Sequence, residues 1–238
     1  MKSKTRVLLL GVLLSIIIVV CNFLGVFEFP KSKVDLPELI VDTVLSTSTN
    51  DSILSKKPKF IIDSNDEEII FGDRQVPDSI KDLMVLVNVE YWGYDSIMHK
   101  GQIVVNKSIE KEVSSIFREL FDIQFPIEKV IPVSHFNWDD DSSMFYNNSS
   151  SFNYRKIKNS NKLSEHSLGL AIDINPKENP HIDRFGKVSP SNAEYNTSDM
   201  GTIYDGSECY NVFSKYGWKW GGHWRYSKDY QHFSKSGR

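Results

Sequence analysis

The chain has 238 residues, 40% hydrophobic and 12% aromatic, which is enough for one well-packed globule with further segments. A net charge of −3 and an isoelectric point near 6.1 leave no basic surface for a phosphate backbone, so no nucleic-acid partner is expected. The two cysteines, Cys21 and Cys209, lie in segments of such different character that no disulfide framework is expected either.

Lys2, Lys4 and Arg6 precede an uncharged apolar run over residues 7–27, which matches the roughly 20 residues of a helix across a bilayer. The run is long for the apolar core of a cleaved signal peptide and no A-x-A-like site follows it, so an uncleaved anchor is expected. Val19 and Val20 make Cys21 a poor lipid-attachment point, since they are bulky just ahead of it. The reading is a cytoplasmic tail over 1–6, a transmembrane signal anchor over 7–27, an extracytoplasmic linker over 28–57 and a folded domain over 58–238. The linker is rich in Ser, Thr, Asp, Lys and Pro and cannot bury enough apolar area to fold alone.

Alternation of Val85, Val87 and Val89 predicts a strand over 83–92, and 102–105 reads as a second strand after a turn at Lys100-Gly101. Ser108 is a candidate N-cap, with Glu110 and Glu112 near the positive end of the helix dipole. Val113, Ile116, Phe117, Leu120 and Phe121 then recur at helical spacing to about Asp122. A strand over 130–133 is confined to an edge by Pro132. A polar stretch over 137–161 leads to a strand over 168–174, then a helix over 207–216 stopped by Gly217 and a short strand over 218–220. Strands and helices mix without βαβ regularity, so the fold class is α+β. Cys209 reads as a small buried hydrophobe at a helix start.

The segment from Ser164 to Pro176 carries the first chemical signal. Asp173 stands between Ile172 and Ile174, where an unpaired carboxylate costs several kcal/mol. It needs a cation. Gly169 allows the chain to turn or to approach closely, so that His166 can converge on the same point. The spacing alone is served equally by a metal site and by a solvated histidine beside an Asp paired to a lysine. Residues 218–233 add His232 and, three positions before it, Asp229. Two histidines and one carboxylate leave a fourth zinc position open for a water, the arrangement of a hydrolytic site.

The pattern Ser-x-His-x-x-Gly-x-Ala-x-Asp over 164–173, Trp-Gly-Gly-x-Trp over 220–224 and Asp-x-x-His over 229–232 resembles the peptidase M15 family of D-alanyl-D-alanine carboxypeptidases and L-alanyl-D-glutamate endopeptidases. The likeness extends upstream through Asn147–Arg155. It implies a hedgehog/DD-peptidase-like fold, one zinc ion and peptidoglycan stem peptides as substrate. By position it implies His166, Asp173 and His232 as zinc ligands, Asp229 as general base and Arg155 as the cation facing the developing oxyanion. Ser164, Tyr154 and Trp220 are candidates for substrate contact. Family members commonly carry Asp within Trp-Gly-Gly-Asp-Trp and Glu after His-Phe. This chain has His223 and Ser234 instead. His223 is open to a role behind the ligands, to one as an alternative ligand or to being a tolerated change, and is not assigned as a ligand. Ser234 matters if the usual Glu orients His232.

His99, His135 and His181 read as ordinary surface or hydrogen-bonded histidines, and Asp139, Asp140 and Asp141 as a solvated acidic turn. The expected protein is thus a monomeric, membrane-held zinc metallopeptidase acting outside the cytoplasm, with D-Ala-D-Ala as first choice and D-Ala-D-lactate or L-Ala-D-Glu open. The alternative is a zinc-stabilised cell-wall-binding module with weak or no catalysis. Asp229 and Arg155 argue against it, since a binder needs no water-activating base.

Overall fold

The computed structural model describes residues 60–66, 70–157 and 160–238, all within one unit, Ser55–Arg238. The tail, anchor and linker expected over 1–57 lie outside the described residues. Among the described residues no helix is long and apolar enough to cross a membrane.

Strand β1 (Ile61–Ile62) and the one-turn helix α1 (Asp78–Lys81) precede the main hairpin, formed by β2 (Met84–Trp92) and β3 (Met98–Asn106) in antiparallel register. The expected turn at Lys100-Gly101 falls inside β3. The reversal comes earlier, where Asp95 Oδ1 accepts from Ile97 N at 2.9 Å and Gly93 N donates to Ile97 O at 2.8 Å. Gly101 is required for a different reason: a Cβ there would lie 2.1 Å from the carbonyl oxygen of Val130. His99 is hydrogen-bonded as expected, with Asp63 at 2.7 Å and Asp95 at 3.2 Å on its two ring nitrogens.

Asn106, rather than Ser108, caps the next element. Its Oδ1 accepts from both the amide and the hydroxyl of Ser108, starting a 3-10 turn over Lys107–Ile109 that runs into α2 (Glu110–Asp122). The apolar stripe of Val113, Ile116, Phe117 and Leu120 is buried against the hairpin. Each such side chain contributes about 1.5–3 kcal/mol on leaving water. Phe121 lies half-buried at the edge and stacks on Trp92 at 5.8 Å.

The strand expected over 130–133 is cut to β4 (Lys129–Val130), because Pro132 opens a 3-10 turn over Val133–Phe136. The acidic turn is a helix start: Asp139 accepts from Asp141 N and Ser142 Oγ and caps α3 (Asp140–Phe145). Strand β5 (Asn148–Ser149) then pairs in parallel with β4.

The remaining elements are β6 (Ala171–Asp173), β7 (His181–Ile182), β8 (Val188–Ser189), α4 (Glu208–Lys215), β9 (Lys219–Trp220), β10 (Lys228–Asp229) and β11 (His232–Ser234). Ser207 caps α4 and Gly217, at φ +74°, follows its end, as the pattern predicts. Strand β11 sits between β6 and β9 in one sheet, and β7 between β10 and β8 in another. Phe213 of α4 stacks on Phe233 of β11 at 4.0 Å, both fully buried, so the core backs directly onto the strand that carries His232. Cys209 is buried in that core, and burial pushes its thiol well above the ordinary value, as suits a packing residue. The mixture of short sheets and helices is α+β.

Candidate metal centre

The histidine segment is shaped by local hydrogen bonds. Ser164 Oγ accepts from the His166 amide at the start of a 3-10 turn over Glu165–Leu168, and Gly169 ends the turn in the left-handed region at φ +62°. A Cβ on Gly169 would lie 2.6 Å from Asn106 N and 3.0 Å from Val105 C. The Gly169 carbonyl accepts from that same Asn106 amide at 3.0 Å. Both uses of glycine, the turn and the close approach, therefore occur at one position. They carry the chain from His166 into β6.

Register does the rest. Strands β6 and β11 are antiparallel with Asp173 directly opposite His232, so the two side chains share one face of the sheet. His166 Nε2 lies 3.2 Å from Asp173 Oδ2 and 3.2 Å from His232 Nδ1, and His232 Nδ1 lies 3.0 Å from Asp173 Oδ1. All three residues are buried. They form the candidate metal-binding group found among the described residues.

The outer nitrogens decide what the inner atoms offer. His166 Nδ1 donates to the Ser151 carbonyl oxygen at 2.7 Å, and His232 Nε2 donates to the Arg238 main-chain oxygen at 2.9 Å. A main-chain oxygen only accepts, so those nitrogens carry the hydrogens and the neutral rings turn their lone pairs inward. Two lone pairs and a carboxylate then face one another, an arrangement that repels unless a cation sits among them. Ligands bound tetrahedrally at zinc–nitrogen distances are separated by roughly 3.3 Å, close to the observed separations. The donor set fits zinc. A proton on His232 would relieve the same repulsion. Burial disfavours a charged His232, yet the hydrogen bond and charge of Asp173 outweigh it and push the imidazole up to about 9. Burial likewise works against an ionised Asp173, but the two imidazoles hold its carboxyl well below the usual range.

Asp229 stands beside this group. Gly221 packs against both: a Cβ there would be 2.9 Å from Asp229 Cβ and 3.3 Å from His232 Cβ, which explains the first glycine of the Trp-Gly-Gly sequence. The second, Gly222, lies so close to the Trp220 ring that a Cβ would fall 2.3 Å from it. Asp229 Oδ1 is enclosed and has no hydrogen-bond partner among the described residues. Burial, with the Asp173 charge adding to it, raises its carboxyl, against the opposing pull of His232, His181 and His166. His181 pairs directly across from Asp229 in the β7–β10 ladder, a neighbour that its distant place in the chain does not announce.

The other expected site residues have mixed placements. Arg155 Nη2 pairs with Asp140 Oδ2 at 2.9 Å, and Asn153 Nδ2 donates to the same carboxylate, so one of the three consecutive acids holds the guanidinium in place. Arg155 lines a hollow of about 510 Å³ together with Arg74, Tyr154 and Lys156. Ser164 Oγ is engaged at the turn. Trp220 is buried, with its N–H on the Tyr230 carbonyl at 2.7 Å. His223 is exposed, 3.6 Å from Asp205, and lies outside the three-residue group. Two buried residues missed in the sequence anchor the 176–205 loop. Asn179 Nδ2 donates to the carbonyls of Ile174, Asn175 and Gly201, and Asn175 Nδ2 to those of Pro126 and Gly201.

A family model described as D-alanyl-D-alanine carboxypeptidase matches residues 158–235. The span contains His166, Asp173, Asp229 and His232 and begins after Arg155. No curated protein and no solved structure matches the chain.

Proposed function

We propose, from the match of residues 158–235 to the D-alanyl-D-alanine carboxypeptidase family model, that this protein is a zinc-dependent metallopeptidase of the peptidase M15 family that hydrolyses peptidoglycan stem peptides, the D-Ala-D-Ala bond being the first candidate. The supporting observation is the inward-facing trio of His166 Nε2, His232 Nδ1 and the Asp173 carboxylate, with both outer imidazole nitrogens committed to main-chain oxygens. Zinc held there would supply Lewis acidity, acidifying a water and polarising the scissile carbonyl. Asp229 is the general base. Its enclosed, unpartnered oxygen and raised carboxyl suit a group that takes a proton from the attacking water and returns it to the departing amine. Arg155 offsets the negative charge that grows on the carbonyl oxygen, with Asp140 orienting the guanidinium. The hollow bearing Arg74, Arg155 and Lys156 suits the carboxylates of a stem peptide. The apolar run over 7–27 would hold this domain at the outer face of the membrane, as a monomer next to the wall, with a hedgehog/DD-peptidase-like core.

The test is direct. The full chain, loaded with zinc, is incubated with defined stem peptides ending in D-Ala-D-Ala, D-Ala-D-lactate or containing L-Ala-D-Glu, and products are read by mass spectrometry. Chelator-sensitive release of D-alanine is the expected result. Stoichiometric zinc with no product from any peptide would refute the reading.

A further inference from the structure

We propose that residues 234–238 form a clamp that orients the ligand histidine His232 through a main-chain oxygen. His232 Nε2–H donates to the Arg238 main-chain oxygen at 2.9 Å, and Ser234 Oγ donates to that same oxygen at 3.0 Å. Ser234 is fully buried and in turn accepts from Gly237 N at 3.1 Å, closing the tail into a tight loop over its own strand. Trp224 Nε1 donates to the Gly237 carbonyl at 3.1 Å and Ser236 Oγ donates to Glu165 Oε1 at 2.8 Å. The tail is thereby fastened both to the Trp-Gly-Gly segment and to the residue beside His166. Gly237 stands at φ +83°, where a side chain is strained, and a Cβ there would lie 2.7 Å from Lys219 Cδ.

The chemistry follows from which atom accepts. An imidazole ligand is fixed in tautomer and direction by the acceptor on its far nitrogen, and such partners matter to metal affinity almost as much as the ligands. A Glu two positions after His232 would place a carboxylate there. Serine is too short to do so, and here its hydroxyl fastens a main-chain oxygen in that place. The clamp acts on His232 alone, since His166 has its own acceptor in Ser151. Residues 234–238 are therefore positioning residues.

This inference rests on the zinc reading above but not on any substrate. Two variants of the full chain remove the clamp in different ways. One ends at Lys235, and in the other Gly237→Pro prohibits the positive φ while keeping the length. Zinc affinity is measured by competition with a chromophoric chelator, and cobalt substitution reports the coordination spectrum. Both variants should bind zinc about 10- to 100-fold more weakly than the intact chain. Adding Ser234→Glu to the shortened chain should recover most of the lost affinity and the parent cobalt spectrum, while Ser234→Leu should not. Unchanged zinc affinity in both variants, or a Glu that restores no more than Leu, overturns the clamp. An intact chain that binds zinc tightly yet cleaves nothing ends the peptidase reading and leaves the clamp to be judged on affinity alone.

Discussion

Stripping the metal from this chain should make its folding stability fall as pH rises from about 6.5 to about 9. The perturbation leaves His232 to be held against Asp173 by a proton, at 3.0 Å, with the ring pushed up from 6.5 to about 9. A raised folded value means that the native state binds the proton more tightly than the unfolded chain does. The stabilisation is thus complete below pH 6.5 and is lost as pH climbs through the folded value. At 1.36 kcal/mol per unit, the whole shift is worth about 3 kcal/mol. Asp229 acts in the same sense only between the ordinary carboxylate value and its own raised value, and adds no slope above that. Zinc displaces the His232 proton, so zinc affinity should rise with pH across the same window. Urea unfolding of the chelated chain, followed by tryptophan fluorescence between pH 6 and 9.5, measures the slope. A flat or rising stability curve over that range would refute the reasoning, as would an equal slope in a His232→Gln chain.

Asp229→Asn keeps the shape and removes the base, so turnover on a cleaved stem peptide should drop by about 10²- to 10⁴-fold while zinc affinity stays near the parent value. Gly169→Ala must adopt the left-handed region and push into the backbone at Asn106 and Val105. The strain together with a weakened Asn106–Gly169 hydrogen bond should cost about 2–4 kcal/mol in urea unfolding and weaken zinc binding as His166 moves. Phe233→Ala empties a fully buried site stacked on Phe213, for an expected loss of about 3–5 kcal/mol in the same assay. Asp140→Ala breaks a pair that is only partly buried, so stability should change by about 1 kcal/mol or less. If Asp140 orients Arg155, kcat should nonetheless fall, which steady-state kinetics on a cleaved peptide would show.

The sequence carried the local chemistry. Asp173 between two isoleucines demanded a cation, Gly169 marked the turn and close approach that let His166 reach it, and the Val113–Phe121 stripe announced an amphipathic helix. These readings rest on neighbours within a turn or two, where side-chain periodicity and backbone sterics dominate. The differences lie at element boundaries, where an Asn or Asp side chain bonding two or three residues ahead chose between neighbouring start and turn positions that periodicity leaves equal. Asn106 instead of Ser108 started the helix, Asp95 moved the hairpin turn away from Lys100-Gly101, and Asp139 turned an acidic stretch into a helix cap. What only the tertiary structure decided is pairing across the chain: the β6–β11 register that sets Asp173 opposite His232, the β7–β10 register that sets His181 opposite Asp229, and the Asp140–Arg155 ion pair. It also decided that the main-chain oxygen of Arg238 stands behind His232. No local propensity encodes these partnerships, because strand register and tail docking are fixed by the packing of distant segments onto one core.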